Sequence, residues 1–99
     1  MTVWFHPQAR VELRESVAYY EARRAGLGER FLAGVGEAIH RIERHPNMYP
    51  RVSAGERQCR IPRFPYSLVY TATAHRIEIY AVVHLHRKPA YWRDRTAGP

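Results

Sequence analysis

The chain has 99 residues, 45% of them hydrophobic and 12% aromatic, with a net charge of +7. That bounds it to one domain (1–99) with one modest core, and it excludes a disordered chain. No apolar run is long enough to span a bilayer, nothing at the start reads as a signal peptide, and a single cysteine allows no internal disulfide, so a cytoplasmic protein without membrane attachment is expected.

The charge is uneven. Residues 1–50 carry seven Arg against six Glu, whereas residues 51–99 carry eight Arg and one Lys against two Glu and one Asp. The second half therefore holds almost all the excess, which suggests a polyanion or an acidic protein partner; a genome that favours Arg would give the same count without one.

Thr2 to Phe5 is a short β-type run. His6-Pro7 then opens a helix, with proline tolerated in its first turn. From Pro7 to about Arg24 the apolar residues Ala9, Leu13, Val17 and Tyr20 form one stripe, widened by Tyr19. Ala25-Gly26-Leu27-Gly28 suits a helix cap and a tight reversal. A second helix is predicted from about Glu29 to His45, with Phe31, Val35, Ala38, Ile39 and Ile42 as its stripe. Gly34 and Gly36 weaken it and mark places where another element comes close. Tyr19, Tyr20 and Phe31 are all expected in the core. Pro46 stops the helix, and a connecting loop runs to Glu56.

Three β-like runs follow. Arg57 to Ile61 is cut off by Pro62, and Pro65 keeps the next residues in a turn. Cys59 and Ile61 are expected inside, Gln58 and Arg60 outside. Tyr66 to Ala72 is the second run, with Leu68 inside and Ser67, Val69 and Thr71 outside. From Ile77 to Leu85 strict alternation places Ile77, Ile79, Ala81, Val83 and Leu85 inside. The even positions then share an open face carrying Arg60, Arg76, Tyr80, His84 and His86. Lys88 to Arg95 forms one helical turn or an ordered arm, and the last residues should be loose. The fold class is α+β, in the order β-α-α-β-β-β, with a helical hairpin on one face of a largely antiparallel sheet.

Two groups of motifs lie along this order. Y-Y-E at 19–21, G-L-G at 26–28 before Phe31, and P-x-x-Y-P at 46–50 form one. F-P-Y at 64–66, Tyr70, and H-x-H-R-K-P-x-Y-W at 84–92 form the other. Together they resemble the RelE/ParE toxin superfamily of bacterial type II toxin–antitoxin modules, over nearly the whole chain. The resemblance implies a helical hairpin on a curved antiparallel sheet and a toxin neutralised by a cognate antitoxin. It also implies one of two targets. ParE-like members poison DNA gyrase with no chemistry of their own, and RelE-like members cut messenger RNA on the ribosome. The Y-Y-E and G-L-G motifs of the hairpin favour the ParE-like branch. A non-toxic, basic nucleic-acid-binding module is the third reading.

An RNase of the RelE kind needs a general base, a general acid and cations around the phosphate. His84, His86, Arg60, Arg87 and Tyr91 supply these types. For contact with a target of either kind the candidates are Arg60, Arg63, Arg87, Lys88, Tyr91, Trp92 and Arg93. Plainer readings compete. His84 can end a strand, Tyr91 and Trp92 can pack the tail onto the sheet, and Arg60 and Arg63 can be solvated surface. His84 and His86 lack a third ligand at metal-site spacing, so neither a metal nor a cofactor is expected.

Overall fold

The computed structural model describes residues 1–88 and 90–96. The order is β1 (Thr2–Phe5), α1 (Pro7–Arg23), α2 (Leu27–Arg44), β2 (Arg57–Arg60), β3 (Tyr66–Ala72), β4 (Arg76–His84) and a terminal turn, α3 (Arg93–Thr96). The architecture is α+β. Strand order in the sheet is β1-β4-β3-β2, with β1 parallel to β4 and the other pairs antiparallel.

Local chemistry sets the helical hairpin. The His6 imidazole caps α1, its Nδ1 accepting the Gln8 N–H at 3.1 Å, and Pro7 occupies the first turn. Gly26 takes the reversal at φ 87°, a conformation that glycine adopts without a Cβ clash. α2 begins at Leu27, two residues before the predicted start, because its first turn is capped from outside. The Glu21 carboxylate accepts the N–H groups of Gly26 and Gly28, each at 3.0 Å. A negative group at that end also complements the helix dipole. Gly28 belongs to α2 and sits where the helices touch: a Cβ there would lie 2.8 Å from the Val17 carbonyl oxygen. The Y-Y-E and G-L-G motifs are thus two halves of one helix–helix joint.

Gly34 faces the turn after β2, where a Cβ would meet Ile61 Cγ2 at 3.1 Å, as expected of a close approach. Gly36 differs from the expectation, since a Cβ on it meets nothing within 4 Å.

The main core lies between hairpin and sheet. Ala9 comes from α1; Phe31, Val35, Ala38 and Ile42 from α2; Cys59, Ile61, Leu68, Tyr70, Ile77, Ile79 and Val82 from the sheet side. Burying one such Leu, Ile or Phe contributes about 1.5–3 kcal/mol. The Tyr70 hydroxyl donates to the Pro46 carbonyl at 2.7 Å, tying the loop after α2 to the sheet. Burial pushes its pKa up to about 12. Burial also raises the Cys59 thiol, a small apolar side chain here. Tyr20 and Phe31 are in the core as expected, but Tyr19 is 53% exposed.

A β-bulge in β4 overturns half of the predicted alternation. Tyr70 pairs with Ile79 while Val69 pairs with Ala81, so Tyr80 is the extra residue. Before it, Ile77 and Ile79 face the hairpin as predicted. After it, parity reverses: Val82 is 2% exposed in the main core, and Ala81 lies in a second cluster on the opposite, outer face. Val83 packs against that outer cluster and Leu85 is exposed, so neither faces the hairpin as predicted.

Candidate functional site

The bulge leaves two backbone groups on the edge of β4 where β1 has ended. Glu12, on α1, takes one of them: its Oε1 accepts the Val82 N–H at 3.0 Å. Arg95, from α3, takes the other, donating to the Tyr80 carbonyl at 3.0 Å. Glu12 and Arg95 also bind each other through two parallel bonds, both 2.9 Å. The Tyr91 hydroxyl donates to Glu12 Oε2 at 2.8 Å. Burial and the adjacent carboxylate together raise the Tyr91 pKa. These bonds carry the C-terminal segment back over the sheet, where Trp92, 3% exposed, packs on Val69 and Ala81.

Between this segment and the outer face lies a cleft of about 390 Å³. Gln58, Val83, Trp92, Arg87 and Arg93 line it. Arg87 lays its guanidinium over the Tyr91 ring, 4.1 Å from the centroid. The cleft thus offers cations, an amide and apolar walls, which suit a carboxylate, a phosphate or an acidic side chain.

The predicted site residues separate into three places. Arg87, Trp92 and Arg93 line the cleft and Tyr91 lies under the Arg87 guanidinium, while Trp92 is packed beneath the segment, as the plainer reading of the tail has it. Lys88, directly after Arg87, is exposed. Arg60 is on the outer face of β2, exposed, and donates to the Phe64 carbonyl at 3.3 Å. Arg63 is on the hairpin side, 3.7 Å from Glu37. Its φ of 68° places it at the third position of the Ile61–Phe64 turn, which glycine usually fills.

The histidines are the principal correction. With parity reversed, His84 stands on the hairpin face opposite Tyr66, its ring edge-on to that tyrosine at 5.0 Å. Its Nδ1 accepts the His86 N–H at 3.1 Å. The two imidazoles remain neighbours, 5.3 Å apart, and His84 reaches the rim of the outer cleft. Arg60 does not share their face, so the predicted open face of Arg60, Arg76, Tyr80, His84 and His86 is not one surface. Arg76 and Tyr80 are on the outer side, both bonded to Glu78.

Sequence reasoning missed Glu12, Arg95 and Gln58 as parts of the site. Glu12 looks like any carboxylate on a solvated helix face, and its partners stand 70 to 83 positions away. Among the described residues no three of His, Cys, Asp or Glu cluster as a metal site. Among them, too, no helix is long and apolar enough to cross a membrane.

Comparison with known proteins agrees with this picture. A search of curated proteins gives no match. A solved structure described as a chromosomal ParDE TA system from P. aeruginosa superposes with a TM-score of 0.60 at 18% identity. The match covers 85% of this chain and 95% of that one, and at this identity it speaks for the fold alone. The family described as the ParE toxin of the type II toxin–antitoxin system, parDE, matches residues 3–89. With nearly the whole chain inside that match, this protein belongs to the ParE family of type II toxins.

Proposed function

We propose that this toxin stops growth by binding DNA gyrase in the cytoplasm and holding it on cleaved DNA, and that a cognate antitoxin keeps it inactive until then. The observation that carries the choice of target is the bulge in β4. An RNase needs an acid, a base and cations around one phosphate. Here His84 turns to the hairpin face, away from Arg60, and the Tyr91 hydroxyl is committed to Glu12. A cationic rim that His84 alone of the two histidines touches suits a binding surface better than a phosphate-cleaving site, and Arg is enriched in interface hot spots. On this reading the toxin is no enzyme. The antitoxin partner is supported by family membership and by the charge of residues 51–99, which favours an acidic segment.

The test expresses the toxin without its antitoxin and measures growth, mRNA fragmentation and gyrase-linked DNA breaks separately. DNA breaks that persist in His84→Ala and His86→Ala are expected. Fragmented mRNA with intact supercoiling, abolished by a single histidine change, would overturn the gyrase reading in favour of ribosome-dependent cleavage. For the partner, a small neighbouring gene whose product copurifies with the toxin is expected; its absence counts against an antitoxin.

A further inference from the structure

By turning His84 to the hairpin face, the bulge completes a row of rings there. Tyr19 meets Tyr20 at 5.3 Å, Tyr20 meets Tyr66 at 6.1 Å, Tyr66 meets His84 at 5.0 Å and His84 meets His86 at 5.3 Å. Two shallow clefts open on this row, and Tyr19, Tyr66 and His84 line both, so they form one groove. Tyr19 is 53% exposed although it stands in a hairpin of otherwise buried aromatics. A cation stands toward each end. Arg23 lies beside Tyr19, its Nη1 2.9 Å from the hydroxyl, and Arg87 lines the groove near His84. Two carboxylates also line it. Glu12 is paired with Arg95, which leaves Glu15 against the guanidinium groups of Arg23 and Arg87.

We infer that this groove, formed by Tyr19, Tyr66 and His84 between Arg23 and Arg87, with the exposed His86 ring beside His84 at its end, binds a single-stranded nucleic acid. Flat rings take bases by stacking whatever their sequence, and the flanking cations take phosphates. A net charge of +7 favours a polyanion over an apolar or proline-rich peptide, which would use the rings and leave the guanidinium groups idle. His84 and Arg87 line both the groove and the outer cleft, so the two adjoin along that edge. The source of the strand rests on the gyrase reading, in which it is the opened DNA; the groove itself does not.

The test is fluorescence anisotropy of the purified full chain with labelled oligothymidylate and oligouridylate. Salt-dependent binding is expected, weakened about tenfold by Tyr19→Ala and by His86→Ala, as loss of one stacking or contact group implies. Both side chains are on the surface, so folding is unaffected. Arg44→Ala removes a full charge at the far end of α2 and should change affinity less than about twofold, since a distant cation adds little. The inference is overturned if neither oligomer binds, if Arg44→Ala weakens binding as much as Tyr19→Ala, or if a proline-rich peptide binds where the oligomers do not. A toxin that breaks DNA through gyrase yet binds no oligomer sinks the groove alone. A groove that prefers oligouridylate, in a toxin that fragments mRNA, keeps the groove and sinks the gyrase reading.

Discussion

Glu12 and Arg95 are bonded nitrogen to oxygen twice, at 2.9 Å, across 83 positions of sequence. Their side chains are only 13% and 10% exposed. The pair does more than neutralise itself. It satisfies the N–H of Val82 and the carbonyl of Tyr80, the two groups that the bulge turns away from β3. Glu12 holds more of this than Arg95 does. Glu12→Ala is therefore expected to cost about 3–5 kcal/mol, leaving the Arg95 guanidinium without its counter-charge and the Tyr91 hydroxyl and Val82 amide unpaired. Arg95→Ala should cost less, about 1–3 kcal/mol, because Glu12 keeps the Val82 N–H and Tyr91. Urea unfolding of both variants and of the double variant measures the two costs and their coupling; a larger loss for Arg95→Ala would contradict this order.

The reversed parity of β4 has its own test. Val82 is 2% exposed in the main core, whereas Val83 is half-buried beside the outer cluster. Val82→Ala should cost about 2 kcal/mol and Val83→Ala about 1 kcal/mol or less, from lost burial plus the cavity. Equal unfolding midpoints for the two variants would count against the bulge.

Two glycines of α2 should respond oppositely to alanine. Gly28→Ala drives a methyl to 2.8 Å from the Val17 carbonyl oxygen, backbone that cannot give way, and should cost on the order of 2–3 kcal/mol. Gly36→Ala meets open space and should add about 0.5–1 kcal/mol by helix propensity. Thermal melts of the two variants should move in opposite directions.

The buried tyrosines set an alkaline limit. Burial raises Tyr70 from 10.0 to about 12 and pushes Tyr91 up as well. The folded state therefore holds these protons more tightly than the unfolded chain. That stability is fully present below pH 10 and is lost as pH climbs toward about 12. Urea midpoints should fall across that window, and Tyr70→Phe should lessen the fall. A midpoint flat through the window would contradict the shift.

Much of the fold was legible because it is periodic. The stripe of Phe31, Val35, Ala38 and Ile42 and the alternation of Ile77 and Ile79 each follow from one repeat. The bulge was not legible, since Ile-Tyr-Ala-Val contains no glycine or proline to signal it, and continued alternation reads equally well through it. A one-residue slip then exchanged the faces of every side chain from Ala81 onward. The basic end of the candidate site could be read from composition. Its fastening to Glu12 could not, because a carboxylate on a polar helix face looks the same whether it meets water or a distant arginine.

The parallel pairing of β1 with β4 bears on how the chain folds. α1 and α2 need only a three-residue turn to meet, so their contacts are local and form early. Thr2 must instead wait for Arg76, and Phe5 for Ile79, before either has a partner. During synthesis the hairpin can assemble while the N-terminal strand is still unpaired, and that strand docks only when the last strand leaves the ribosome. The groove and the outer cleft both draw on residues after Ile79. Both surfaces can therefore form only once β4 has been made, later than the helical hairpin.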